Sequence, residues 1–359
     1  MTIDFNEITH LVDPSLNSLL ADFEQFLLSL TGPTVIDIGG VDDSRTIVIT
    51  TLLQGNEPSG FIAIHRWLTD RDVNIKPKTN MRFILCSVEA ASKRPLFIHR
   101  SFNSSLNINR CFTTPAHLST LPHNEACCYE RARLIEQAIR EVSPIVIIDL
   151  HNATSPSPAY AISAIVTNEI LSLTGLFCQS LVLSDLTMGS LMEVPFDCPF
   201  ITIECGYKDD IQSHERAYWG ISELAKIDKI DSIKNQRHIN VKYKPLRLCL
   251  KDGTKLAFAN ADEGFKGVTL KSDIDYFNFG HIYQDEMIGW VDSQGLNNLQ
   301  LIDKDGTNIV GQYFYVRENK LLCKNTYQLL KATSNVADAT SDCLFYVTRA
   351  NTMTSMNLC

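Results

Sequence analysis

Three apolar runs in this chain each end on a residue able to do chemistry. Thr46–Leu53 runs into Gln54-Gly55-Asn56-Glu57, Ile145–Leu150 runs into His151, and Phe200–Ile203 runs into Glu204-Cys205-Gly206. A carboxylate and an imidazole set at strand ends are suitable ligands for a divalent ion, and Asp149 or a backbone carbonyl can orient the ring. A second carboxylate nearby can serve as general base once burial moves its pKa toward the working pH. Asn107-Ile108-Asn109-Arg110-Cys111-Phe112 adds a planar guanidinium fork with an amide beside it, a pairing suited to a bound carboxylate. Each residue taken alone also has an ordinary reading. A strand-end histidine more often only hydrogen-bonds, Glu204 fits equally well as a solvated carboxylate, and arginines more often form surface ion pairs.

The elements that must position these residues alternate in type. Asp13-Pro14 opens a helix whose apolar residues, from Leu16 through Leu20, Phe23 and Leu27 to Leu30, recur at helical spacing until Gly32-Pro33. The pattern predicts strands at 34–38, 46–53, 82–88, 145–150, 160–166, 180–184 and 200–205. Helices are expected at 59–68, 125–141 and 212–227. This rhythm implies a mixed, largely parallel sheet covered by helices on both faces, with chemistry gathered where strands end. After about residue 230 the pattern turns to short alternating runs, and Lys251-Asp252-Gly253 and Lys304-Asp305-Gly306 read as hairpin-type turns. The expected organisation is an α/β domain over residues 1–230 and a smaller β-rich domain over 231–359.

Composition narrows the class. At 359 residues the chain exceeds one ordinary core. Acidic residues outnumber basic ones 41 to 32, for a net charge of −9, which argues against a nucleic-acid partner. No apolar run approaches the roughly 20 residues of a membrane span. Eleven cysteines without CxxC pairs, and an N-terminus without signal-peptide character, point to a reducing, cytoplasmic setting with free thiols.

In their order along the chain, the motifs resemble the succinylglutamate desuccinylase and aspartoacylase family, relatives of the zinc carboxypeptidases. That family carries His-Gly-Asn-Glu, then Asp-Leu-Asn-Arg-x-Phe, then Asp-Leu-His, then a strand ending Glu-x-Gly. The counterparts here are Gln54–Glu57, Asn107–Phe112, Asp149–His151 and Glu204–Gly206. The resemblance implies an α/β, zinc-carboxypeptidase-like mixed sheet flanked by helices, followed by a smaller β-rich domain. It also implies hydrolysis of the amide bond of a small carboxylated N-acyl amino acid. Positions 54, 57 and 151 would hold one zinc ion, whose bound water has its pKa lowered from about 15.7 to about 7. Glu204 would be the general base, Asn109 and Arg110 would bind a substrate carboxylate, and Arg100 would polarise the scissile carbonyl.

Gln54 departs from that pattern, because an amide is a far poorer zinc donor than an imidazole. Asn107 stands where the family has aspartate, Leu181–Pro199 holds no arginine, and Tyr346 is the nearest counterpart of a tyrosine of the C-terminal domain. His65 lies too far along its helix to replace the missing ligand; His99, His117 and His123 lie in the loop-rich stretch around Arg110. Two outcomes are therefore expected in competition. One is a metal-dependent deacylase with an altered site. The other is a non-catalytic relative, its zinc site impaired by Gln54, that binds a carboxylated small molecule or a protein partner. Self-association is compatible with either.

Overall fold

The computed structural model describes residues 7–102, 106–115, 118–233, 238–341 and 343–349. The chain divides into two compact units, one of residues 1–153 with 159–241 and one of 154–158 with 242–359.

The first unit is built on a nine-stranded sheet. Its strands in chain order are β1 (Thr9–Val12), β2 (Thr34–Ile38), β3 (Asp42–Thr51), β4 (Thr79–Leu85), β5 (Val146–Ala153), β6 (Tyr160–Ser163), β7 (Ser180–Leu183), β8 (Phe200–Tyr207) and β9 (Asn240–Tyr243). They lie in the order β1-β2-β4-β3-β5-β8-β6-β7-β9. The central four, β4, β3, β5 and β8, run parallel, while β2 and β6 pair antiparallel to β4 and β8. This is the mixed sheet that the alternating pattern predicts.

Strand side chains alternate between faces. Ile47 and Ile49 of β3, Val146, Ile148 and Leu150 of β5, and Ile201 and Ile203 of β8 enter one core. That core also takes residues of α3 (Ser59–Asp70), α6 (Asn168–Phe177) and α7 (Ile211–Leu224). Val48 and Ile147 enter a second core on the opposite face, with residues of α5 (His123–Arg140). By the same alternation, Thr50, Asp149, His151 and Glu204 point to the α5 face, where their strands end.

Near the N-terminus the predicted helix is two. A helix at Leu16–Leu19 takes Ser15 as N-cap, and a second at Phe23–Ser29 is capped by Asp22, whose carboxylate accepts from Gln25 N. Leu20 sits between them at φ 57°, a left-handed conformation that no continuous helix admits. Asp13 does not cap; its carboxylate accepts from Gly39 N at 3.1 Å.

The second unit holds two five-stranded sheets. One orders His281–Ile282, Tyr327–Leu330, Phe345–Arg349, Leu246–Leu250 and Leu299–Leu301, all antiparallel. The other orders Leu256–Ala259, Val268–Lys271, Met287–Val291, Lys320–Cys323 and Phe314–Arg317. Residues 310–313 form a helical turn ahead of Phe314. The segment 154–158 is built into this unit: Ser155 Oγ donates to Ala332 O at 2.5 Å, and Asn278 Nδ2 donates to Pro156 O at 3.0 Å. Among the described residues no helix is long and apolar enough to cross a membrane.

Candidate active site

β3 ends at Thr51, and the turn that follows carries Gln54 and Glu57 into α3. Gly55 is required in this turn. A Cβ there would lie 2.6 Å from Ala90 Cβ and 2.7 Å from both Ala91 N and His99 O. Its own N–H donates to Arg100 O at 3.0 Å, so the close approach that glycine permits also fixes the backbone of Arg100.

His151 belongs to β5 itself, which extends to Ala153 rather than ending at Leu150 as the apolar run suggests. It is directly paired in the sheet with Glu204 of β8, and both are buried on the same face. Glu57 completes the group: its Oε2 lies 2.7 Å from His151 Nδ1, and His151 Nε2 lies 2.7 Å from Asp149 Oδ2. Asp149 is held in turn by Thr50 Oγ1 at 2.6 Å. A neutral imidazole carries one N–H, so two carboxylate contacts are both satisfied only by the imidazolium. Burial acts to lower the His151 pKa. The charges of Asp149 and Glu57 and their hydrogen bonds outweigh it and raise that pKa well above the usual histidine range.

Gln54 is buried beside this group. Its amide is satisfied when the nitrogen donates to Glu57 and the oxygen accepts from Asn107 Nδ2 at 2.9 Å and Arg100 Nη2 at 3.1 Å. Arg100 Nη1 lies 4.0 Å from Glu57 Oε1. Asn107 links onward, because its Oδ1 accepts from Asn109 N at 2.9 Å. Asn109 and Arg110 lie on the 3-10 turn Ile108–Arg110. Asn109 Oδ1 accepts from Leu191 N at 2.9 Å, and Arg110 Nη1 donates to Asn109 O at 2.7 Å.

Several residues of the site escape a reading by sequence. Buried Asn152 ties three segments together: Oδ1 accepts from Ser59 N at 2.9 Å, and Nδ2 donates to Ser59 Oγ at 2.8 Å and Gly206 O at 3.1 Å. Ser59 Oγ also meets His214 Nδ1 at 2.8 Å. Glu193 organises the loop against the Asn109 turn, accepting from Met188 N, Gly189 N, Ser190 N and Ser190 Oγ at 2.7–3.0 Å. Only this last arrangement has a local signature, the capping box Ser190-Leu191-Met192-Glu193.

Glu57 and His151 fit a divalent ion in donor type and convergence, with Asp149 in the orienting position behind the imidazole. Gln54 is the weak member of the set: it brings one end of its amide against the Glu57 carboxylate, and an amide is a far poorer zinc donor than an imidazole. Among the described residues no group of three His, Cys, Asp or Glu side chains is arranged to hold a metal. His65 faces the Leu19 and Leu20 carbonyls, His99 lies 3.4 Å from Arg94 O, and His123 lies against Cys127. His117 lies outside the described residues.

Residues 43–192 match the model of the succinylglutamate desuccinylase/aspartoacylase catalytic domain. The matched span contains Gln54, Glu57, Arg100, Asn109, Arg110 and His151; Glu204 lies beyond it. Similar folds occur in succinylglutamate desuccinylase from Vibrio parahaemolyticus, with a TM-score of 0.60 at 14% identity over 92% of this chain and 95% of that one. The enzyme of the same name from Vibrio cholerae gives 0.56 at 14% identity, over 85% of this chain and 99% of that one. Murine aminoacylase 3 gives 0.52 at 17% identity, over 86% and 96%. No curated protein matches the chain by sequence. The matched domain supports an enzyme of the deacylase type, and the similar structures show the fold.

Proposed function

We propose that the protein hydrolyses the amide bond of a small carboxylated N-acyl amino acid. The observation that carries this reading is the pairing of His151 with Glu204 on adjacent strands, with Glu57 2.7 Å from the imidazole. A base and a cation-binding pair are thereby set side by side on one buried face. Glu57 and His151 would hold one divalent ion, zinc in this proposal, which when bound supplies an acidified water. Glu204 takes the proton of the attacking water on its carboxylate and returns it to the leaving nitrogen. Arg100, anchored through Gln54, faces the same region and stabilises charge developing on the scissile carbonyl oxygen. Asn109 and Arg110 orient the substrate through its carboxylate.

A second reading rests on Gln54. With its amide donating to Glu57, the pair Glu57–His151 is already hydrogen-bonded on both sides, which favours a carboxylate-binding relative without turnover. Amine release from a panel of N-acyl amino acids, with zinc supplied, separates the two. The deacylase reading expects turnover that falls about 10²–10⁴-fold in Glu204→Gln. Ligand binding by calorimetry with no amine release from the unaltered protein would establish the second reading instead.

A further inference from the structure

Two positions at which the motifs exchange a polar side chain of the family pattern, Gln54 and Asn107, are 53 residues apart in sequence and touch in the fold. In the amide orientation that satisfies both of its ends, Gln54 Oε1 accepts from Asn107 Nδ2 at 2.9 Å. A histidine that binds a metal through one ring nitrogen needs an acceptor, commonly a carboxylate, on the other. An aspartate at 107 would meet that need for a histidine at 54. Asn107 presents its NH2 toward position 54, and its oxygen is taken by Asn109 N.

We propose that Gln54 and Asn107 are a single exchanged unit, an amide–amide bridge standing where an imidazole–carboxylate pair would bind metal. The bridge is a positioning device. From Glu57 it runs through Gln54 to Arg100 Nη2 and to Asn107, and from Asn107 Oδ1 to the backbone of Asn109. Each amide here uses one donor and one acceptor, a polarity that a carboxylate at 107 cannot supply and that an imidazole at 54 gives up once its acceptor nitrogen binds a metal. The bridge thus couples the carboxylate of the cation site to the turn that carries Arg110, and Gln54 acts through its neighbours rather than on an ion. The inference deepens the proposed function for the same site, but its test needs no turnover.

Zinc chloride affinity is measured by competition calorimetry for the unaltered protein, Gln54→His, Asn107→Asp and the double variant. Gln54→His alone is expected to raise affinity less than tenfold, since Asn107 offers the new ring a donor rather than an acceptor. Asn107→Asp alone is expected to raise it less still. The double variant should exceed the product of the single effects by about 10–100-fold, the usual weight of an orienting carboxylate behind a metal-bound histidine. Simple multiplication of the single effects would overturn the proposal. A parallel set uses Gln54→Ala, Asn107→Ala and their combination, measured by urea unfolding with chelator present. The folding constants should depart from multiplicative behaviour by at least about fivefold, about 1 kcal/mol. Multiplicative folding constants would overturn the bridge in the metal-free protein, whatever the protein's activity.

Discussion

Replacing Asn152 by alanine should cost far more than its position in a polar motif suggests. Its amide is buried and makes three hydrogen bonds of 2.8–3.1 Å, two to Ser59 and one to Gly206 O. Pro58 precedes α3 without a side-chain cap, so Asn152 Oδ1 is the acceptor that serves the Ser59 N–H at this helix start. Truncation orphans that N–H and the Gly206 carbonyl, while Ser59 Oγ keeps His214 Nδ1. Two buried orphans at about 1–3 kcal/mol each give a loss of about 2–6 kcal/mol. Asn152→Asp should not rescue the loss, because although it keeps the acceptor for Ser59 N it sets a buried carboxylate oxygen against the Gly206 carbonyl. The assay is urea unfolding by tryptophan fluorescence in a Trp290→Phe background, which leaves Trp67 and Trp219, both in the first unit. A loss below about 1 kcal/mol for Asn152→Ala would refute the accounting. So would an aspartate variant as stable as the unaltered protein.

Two further outcomes follow from the packing and the charges. Gly220→Ala in α7 should destabilise by about 1–3 kcal/mol through overpacking, despite roughly 1 kcal/mol of gained helix propensity. The new Cβ would fall 1.9 Å from Phe177 Cε1, so α6 and α7 must part; a rise in the urea midpoint would contradict this. In chelator-treated protein, ring-nitrogen NMR should find His151 doubly protonated at pH 7.5, because Asp149 and Glu57 hold its pKa well above 6.5. The folded pKa being the higher one, this stabilisation is fully present below about pH 6.5 and disappears as pH rises through the folded value. A neutral ring at pH 7 would show that the charge assignment is wrong.

Much of the fold was legible because burial on both faces leaves an unmistakable mark. Val146–Leu150 and Phe200–Ile203 are apolar or nearly so at successive positions, as central parallel strands must be. The break at Leu20 was not legible, since the leucine spacing from Leu16 to Leu30 runs through it unchanged and the kink lies in a backbone angle. Within the site, the residue types at strand ends could be read, along with the motif order. The bonds between them could not. Asn152 meets Ser59 across 93 positions, and Gln54 meets Asn107 across 53. In both cases the partners are short polar side chains whose types carry no record of one another. Reading Gln54 and Asn107 separately makes them two losses, whereas their contact makes them one exchange.

The segment Thr154–Pro158 has a consequence for how this chain can be cut and recombined. It leaves the first unit directly after the strand that carries His151 and completes the second unit through Ser155, Pro156 and Asn278. The second unit is therefore discontinuous in sequence and is not a cassette. A crossover at residue 241 would deliver a β-rich unit without Ser155 and leave the donor's five-residue insert without Ala332 and Asn278. Chimeras between relatives should keep residues 154–158 and 242–349 from the same parent, which means that the histidine strand and the β-rich unit are inherited as linked parts.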